Sequence, residues 1–199
     1  MWKYFSLEMI IRYLAVLFSY VWGGIEVFQH VRRRQQNRGR GRTDHDKGTL
    51  MLLYGAIGVG YGIGIPFAFS PYGRIAWGKP YLAIFGLLVI VAGICIRFIA
   101  MQTLGKHFSY TVNILVQHEL IEQGLYRYIR HPAYLGELLI FVGIGLSFAN
   151  WISLVSLFVF PFIALSVRMN VEEKALLGHF AARYVEYRKR TWRLIPWSY

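Results

Sequence analysis

The sequence predicts an all-α fold: a polytopic membrane protein with about five transmembrane helices, forming a single domain over residues 1–199. Three features carry that reading. Hydrophobic residues make up 56% of the chain and charged ones only 16%, against about 25% charged in soluble domains. The mean hydropathy is positive, at +0.39. The net charge of +12 gathers between long apolar runs, a membrane pattern rather than a nucleic-acid one. Disorder is excluded by the same composition. A disulfide scaffold is excluded because Cys95 is the only cysteine.

A span needs roughly 20 mostly apolar residues. The predicted spans are Met9–Val31, Leu50–Ser70 and Pro80–Leu104, then the shorter Pro132–Ala149 and Trp151–Val167. The last two are separated by little more than Asn150 and read as a helical hairpin. The first run lacks the short apolar core and cleavage site of a signal peptide. Beyond the fifth span, Leu176, Phe180, Tyr184 and Tyr187 continue an apolar stripe at helical spacing, which predicts a C-terminal amphipathic helix. Gly55, Gly58, Gly60, Gly62 and Gly64 in the second span read as close helix packing.

Orientation follows from the short loops. Arg32–Lys47 holds seven Lys and Arg, and the tail from Arg168 is also basic, whereas Pro71–Lys79 carries only Arg74 and Lys79. Positive loops stay inside, so the first two segments and Gly105–His131 are expected to face the cytoplasm. The basic loop reads as a headgroup contact. RNA binding would want stacking aromatics, and Gln35–Thr43 has none.

Glu26, Arg97, Glu137 and Arg168 fall inside or at the ends of predicted spans, toward the cytoplasmic ends. Ionisable groups there are costly and invite a functional reading. Arg12 lies at the opposite end and is expected to reach the outer headgroups. The densest cluster of unusual residues is His118–Glu137. Pro132 disfavours helix at His131 and suits the first turn of the next helix. His131 is therefore expected at a helix mouth, beside free backbone N–H groups. A second cluster holds Arg168 and Glu172, four apart and so on one helix face. The histidines form no paired metal site.

Gly124-Leu-Tyr-Arg-Tyr-Ile-Arg-His-Pro-Ala-Tyr-Leu-Gly136, preceded by His118-Glu-Leu-Ile121, resembles the isoprenylcysteine carboxyl methyltransferase family. Arg168–Glu173, Leu176, Tyr184, Tyr187 and Leu194-Ile195-Pro196 resemble its C-terminal signature, and the likeness covers about the last 95 residues. It implies an integral membrane enzyme that methylates a lipid-linked carboxylate with S-adenosyl-L-methionine. Its site would face the cytoplasm, in the plasma membrane of a prokaryote or the endoplasmic reticulum of a eukaryote. The resemblance implies cofactor contacts from His118, Glu119, Leu120, Ile121, Tyr126, His131, Pro132, Ala133, Tyr134 and Glu172. It places Arg168 against the substrate, as the catalytic and substrate-binding residue. Ser109, Thr111 and Asn113 are stand-ins for an upstream polar contact of the family. The partners expected are a hydrophobic or lipid-linked carboxylate and membrane lipids, with no nucleic acid and no metal.

The expected roles suit the chemistry. A carboxylate is already ionised at pH 7, so a site for its methylation must supply proximity and desolvation rather than a base. Arg168 offers a planar fork, Glu172 a partner for an ammonium, and Tyr126 and Tyr134 aromatic faces for a cation. Two alternatives stay open. Some sterol reductases that use NADPH carry a similar Arg-His-Pro-x-Tyr-x-Gly run, although in longer chains. A phospholipid or small-molecule methyltransferase would act on a neutral acceptor, where an arginine does not help.

Overall fold

The computed structural model describes residues 7–36, 42–44, 46–78, 80–115 and 119–195. Helices carry the architecture, as expected: α1 (Leu7–Gln36), α2 (Thr49–Phe69), α3 (Tyr81–Leu104), α4 (Pro132–Ser147), α5 (Trp151–Phe180) and α6 (Ala182–Lys189). Four of them, α1, α2, α3 and α5, are long and apolar enough to cross a membrane, and α4 is a shorter apolar helix of 16 residues. The protein is an integral membrane protein. Large apolar side chains such as Leu17, Met51, Leu88 and Ile163 lie exposed on the helix faces, where acyl chains replace water.

Two features depart from the sequence expectation. The fifth helix does not stop at Val167 but runs unbroken through the charged residues to Phe180. It ends where Ala181 takes a left-handed conformation (φ 44°), and α6 follows as a separate short helix. The charges mark no boundary because neighbouring elements neutralise them. A two-stranded antiparallel ribbon also joins β1 (Arg42–Asp44) to β2 (Asn113–Leu115).

Glycine sets the closest helix contacts. Gly93 on α3 faces Gly136 on α4, and Gly86 faces Gly143 seven residues along each helix. A Cβ on any of these four would stand 2.5–2.8 Å from main-chain or side-chain atoms of the neighbouring helix. In α2 only Gly60 and Gly64 pack in this way, against Ser156 and Leu157 of α5. Gly55, Gly58 and Gly62 have open space beside them, so the close packing expected of all five belongs to two. Ile90, Ile140, Phe141, Ile144 and Leu157 fill the core between these helices.

One end of the bundle is closed by Asn150. Its side-chain oxygen caps α5 by accepting from the Ile152 and Ser153 N–H groups, and its amide donates to the Phe67 and Tyr72 carbonyls. Arg12 does not reach outward at this end. It is 2% exposed and donates to the Ala68 carbonyl oxygen at 3.0 Å, because the last turn of α2 leaves carbonyls without helical partners. The β-ribbon and residues 105–115, 119–131 and 181–195 gather at the opposite end.

Candidate functional site

That opposite end holds a cavity built from four parts of the chain. Pro132 takes the first helical position of α4, which leaves His131 outside the helix in an extended-side conformation (φ −124°, ψ 56°). The chain after α6 lies along residues 128–131, with Arg130 N–H donating to the Trp192 carbonyl and His131 N–H to that of Arg193. His131 is thereby fixed from both sides. Its ring stacks on Tyr134 (centroids 5.5 Å apart, planes at 14°), and Nε2 lies 3.2 Å from Glu173 Oε1. The imidazole does not cap α4.

Arg168 and Glu172 share a face of α5 but do not pair directly. The Tyr134 hydroxyl stands between them, accepting from Arg168 Nε at 3.0 Å and donating to Glu172 Oε2 at 2.8 Å. Arg168, 2% exposed, is the largest fully buried side chain among the described residues. Its Nη1 contacts Asp46 Oδ1 at 2.8 Å and Thr49 Oγ1 at 3.0 Å, and its Nη2 donates to the Tyr110 carbonyl oxygen. Asp46 is itself held by donors from Thr49, Leu50 and Val112. Burial raises the Asp46 carboxyl, but the Arg168 charge and these hydrogen bonds outweigh it and hold the group below its ordinary value. Sequence reasoning missed Asp46, because its partner lies 122 positions away.

The cavity brings together Glu119, Leu120, Ile121, Tyr126, His131, Ala133, Tyr134, Arg168 and Glu172. Ser109 and Thr111 line it too. Pro132 forms the helix start beside it without lining it, Asn113 sits in β2, and His118 lies outside the described residues. Tyr184 and Tyr187 complete the wall. The Tyr187 hydroxyl donates to the Tyr126 carbonyl oxygen at 2.7 Å. The Tyr184 hydroxyl is buried and has no hydrogen-bond partner among the described residues. Burial raises both phenols, so they stay neutral donors at pH 7. A second, apolar cavity of about 520 Å³ lies between α1, α2, α3 and α4. The two cavities share Phe108, Ser109, Tyr134 and Arg168.

Residues 85–178, which span both cavities' shared wall, match the isoprenylcysteine carboxyl methyltransferase family. The matched segment is a little under half of the chain. Similar curated proteins include the protein-S-isoprenylcysteine O-methyltransferase of Saccharomyces cerevisiae, 36% identical over 115 residues that cover 57% of this chain and 48% of the yeast one. The human protein of the same name is 34% identical over 119 residues, covering 59% of this chain and 40% of its own. The chain thus spans about half the length of the curated relatives it matches. Among solved structures, a eukaryotic intramembrane Ras methyltransferase of this family shares the fold. Its TM-score is 0.59 at 23% identity, over 78% of this chain and 54% of that one. Asp46, Tyr184 and Tyr187 lie outside the matched segment; the two tyrosines were in the C-terminal run that the sequence singled out, and Asp46 is added by the structure.

Proposed function

We propose that this protein transfers a methyl group from S-adenosyl-L-methionine to the carboxylate of a lipidated or otherwise hydrophobic acceptor. One observation carries the reading: a polar cavity and an intramembrane apolar cavity meet at Arg168 and Tyr134. The acceptor's apolar part fits between the helices, and its carboxylate arrives at the wall that the two cavities share. The names of the similar curated proteins point to the same chemistry.

The residues of the polar cavity fit the cofactor. Glu119 and Glu172 supply carboxylates for an ammonium, Tyr126 and Tyr134 supply rings for a sulfonium, and the orphaned Tyr184 hydroxyl is a donor awaiting an acceptor. His118, Leu120, Ile121, His131, Pro132 and Ala133 complete the cofactor contacts in this reading. When bound, the cofactor supplies an electrophilic methyl group. Arg168 then has one task, to present the acceptor carboxylate. Its Nε, both Nη1 donors and one Nη2 donor are already fixed by Tyr134, Asp46, Thr49 and Tyr110, which leaves a single N–H to offer in a set direction. Such fixing puts the carboxylate in place before reaction. The site opens toward the cytoplasm by the positive-inside count.

The test is methyl transfer by the purified protein in lipid nanodiscs, with methyl-labelled S-adenosyl-L-methionine and S-farnesylcysteine. Label released by base as methanol is expected. Base-stable label, or none with a folded protein, would overturn the carboxylate reading.

A further inference from the structure

Glu26, Arg97 and Glu137 take no part in the roles above. They come from α1, α3 and α4 to one wall of the apolar cavity. Arg97 donates from Nε and Nη2 to the two oxygens of Glu26, each at 2.8 Å, and from Nη1 to the Ala133 carbonyl oxygen at 3.1 Å. Glu137 Oε2 lies 3.0 Å from the same Nε. That N–H is directed at Glu26, however, and Glu137 Oε2 accepts no hydrogen bond among the described residues. The Glu137 side chain is only 8% exposed. Two carboxylates therefore share one guanidinium. The cavity's other cation, Arg168, is already paired by Asp46.

The cluster thus carries one negative charge more than its single guanidinium balances, and excess buried charge is expensive and favours an added cation. The rest of the wall agrees, because Trp22, Tyr54, Tyr61 and Tyr110 line the same cavity, and aromatic faces attract ammonium groups. Tyr134 and Glu137 are three apart on α4 and so share a face. The acidic wall thus lies about one helical turn, roughly 5 Å, from the Tyr134–Arg168 edge. An α-amino acid holds its ammonium and carboxylate on one carbon, so both groups reach walls that stand this close, each through a hydrogen bond of ordinary length.

We propose that the acidic, aromatic wall formed by Glu26, Arg97 and Glu137 receives an ammonium group next to the acceptor's carboxylate. The preferred acceptor is then a lipid conjugate of a free amino acid, with its α-amine unblocked, rather than the amide-linked end of a polypeptide. The inference rests on the methyl-transfer reading above and narrows its substrate.

Three acceptors with one farnesyl thioether test it: S-farnesylcysteine, N-acetyl-S-farnesylcysteine and S-farnesylthiopropionate, which has no nitrogen. Base-labile methyl label is read as kcat/KM in nanodiscs. The free amine is expected to lead the other two by about tenfold or more, mostly through KM. Glu137→Gln is expected to shrink that lead to about twofold or less. Equal use of all three by the wild-type protein overturns the inference and leaves methyl transfer standing. A full preference surviving in folded Glu137→Gln also overturns it. No methyl ester from any acceptor overturns both readings. The wild-type comparison decides even where the variant does not fold.

Discussion

Arg168 shows how much a single buried cation is asked to do. On the proposed methyl transfer, truncating it removes the donor offered to the acceptor; it also strands the Asp46 carboxylate. Losing the ligand contact costs about 2–5 kcal/mol, so Arg168→Ala is expected to slow turnover roughly 30-fold to several thousandfold. Stranding Asp46 lowers the melting temperature as well, because breaking a buried pair costs about 3–5 kcal/mol. Adding Asp46→Asn is expected to restore the melting temperature but not turnover, which thermal melts and kinetics on the double variant would check. Glu172→Gln is expected to weaken cofactor binding most, read by titration with S-adenosyl-L-methionine. Asp46 also sets an acid limit. Its folded value lies below the unfolded one, so its stabilisation is present above the ordinary carboxylate value of about 3.9 and is lost as pH falls through the folded value. Melting curves across pH 3 to 7 should show Asp46→Asn with a shallower acid limb than the wild type.

Between helices, stability is decided by where a methyl group has room. Gly93→Ala places a Cβ 2.7 Å from the Gly136 carbonyl oxygen, and main chain does not yield. Overpacking of this kind costs typically about 1–3 kcal/mol, so the detergent melting temperature is expected to fall. Gly62→Ala meets nothing within 4 Å and removes backbone freedom in the unfolded chain, so it should melt at or above the wild type. The sequence could not separate these glycines, since composition reports small residues and not what stands opposite them. It did place the spans, because twenty apolar residues in a row have one cheap environment. The sequence put Arg168 and Glu172 on one helix face, but the end of α5 was hidden, because Asp46, Tyr134 and Arg130, which answer Arg168, Glu172 and Glu173, come from distant segments. The Arg-His-Pro-Ala-Tyr run was legible because proline fixes both its own place and that of His131. Asp46 was not, since the arginine that answers it lies 122 positions away.

Across the whole molecule, the site residues collect at the end of the bundle opposite the Asn150 cap. In a Cys95→Ser background, cysteines introduced at Gln35 and Arg188 are expected to react with an impermeant maleimide from one side of the membrane, and one at Tyr72 from the other. Labelling of Gln35 and Arg188 from opposite sides would dismantle the shared face. The short α4 has a further effect on how the protein and its bilayer fit together. Its 16 residues rise about 1.5 Å each and so span about 24 Å, less than the roughly 30 Å of a hydrocarbon core. With the Asn150 cap set at one headgroup boundary, a helix of that length ends several ångströms inside the acyl region at its other end, where His131 and Tyr134 stand. Lipid must thin or water must dip there, which brings the aqueous phase down to the buried acceptor instead of lifting the acceptor out. On the proposed activity, acyl-chain length then becomes a control on rate: methyl transfer in nanodiscs should decline as chains lengthen from 14 to 20 carbons, with no change in the protein.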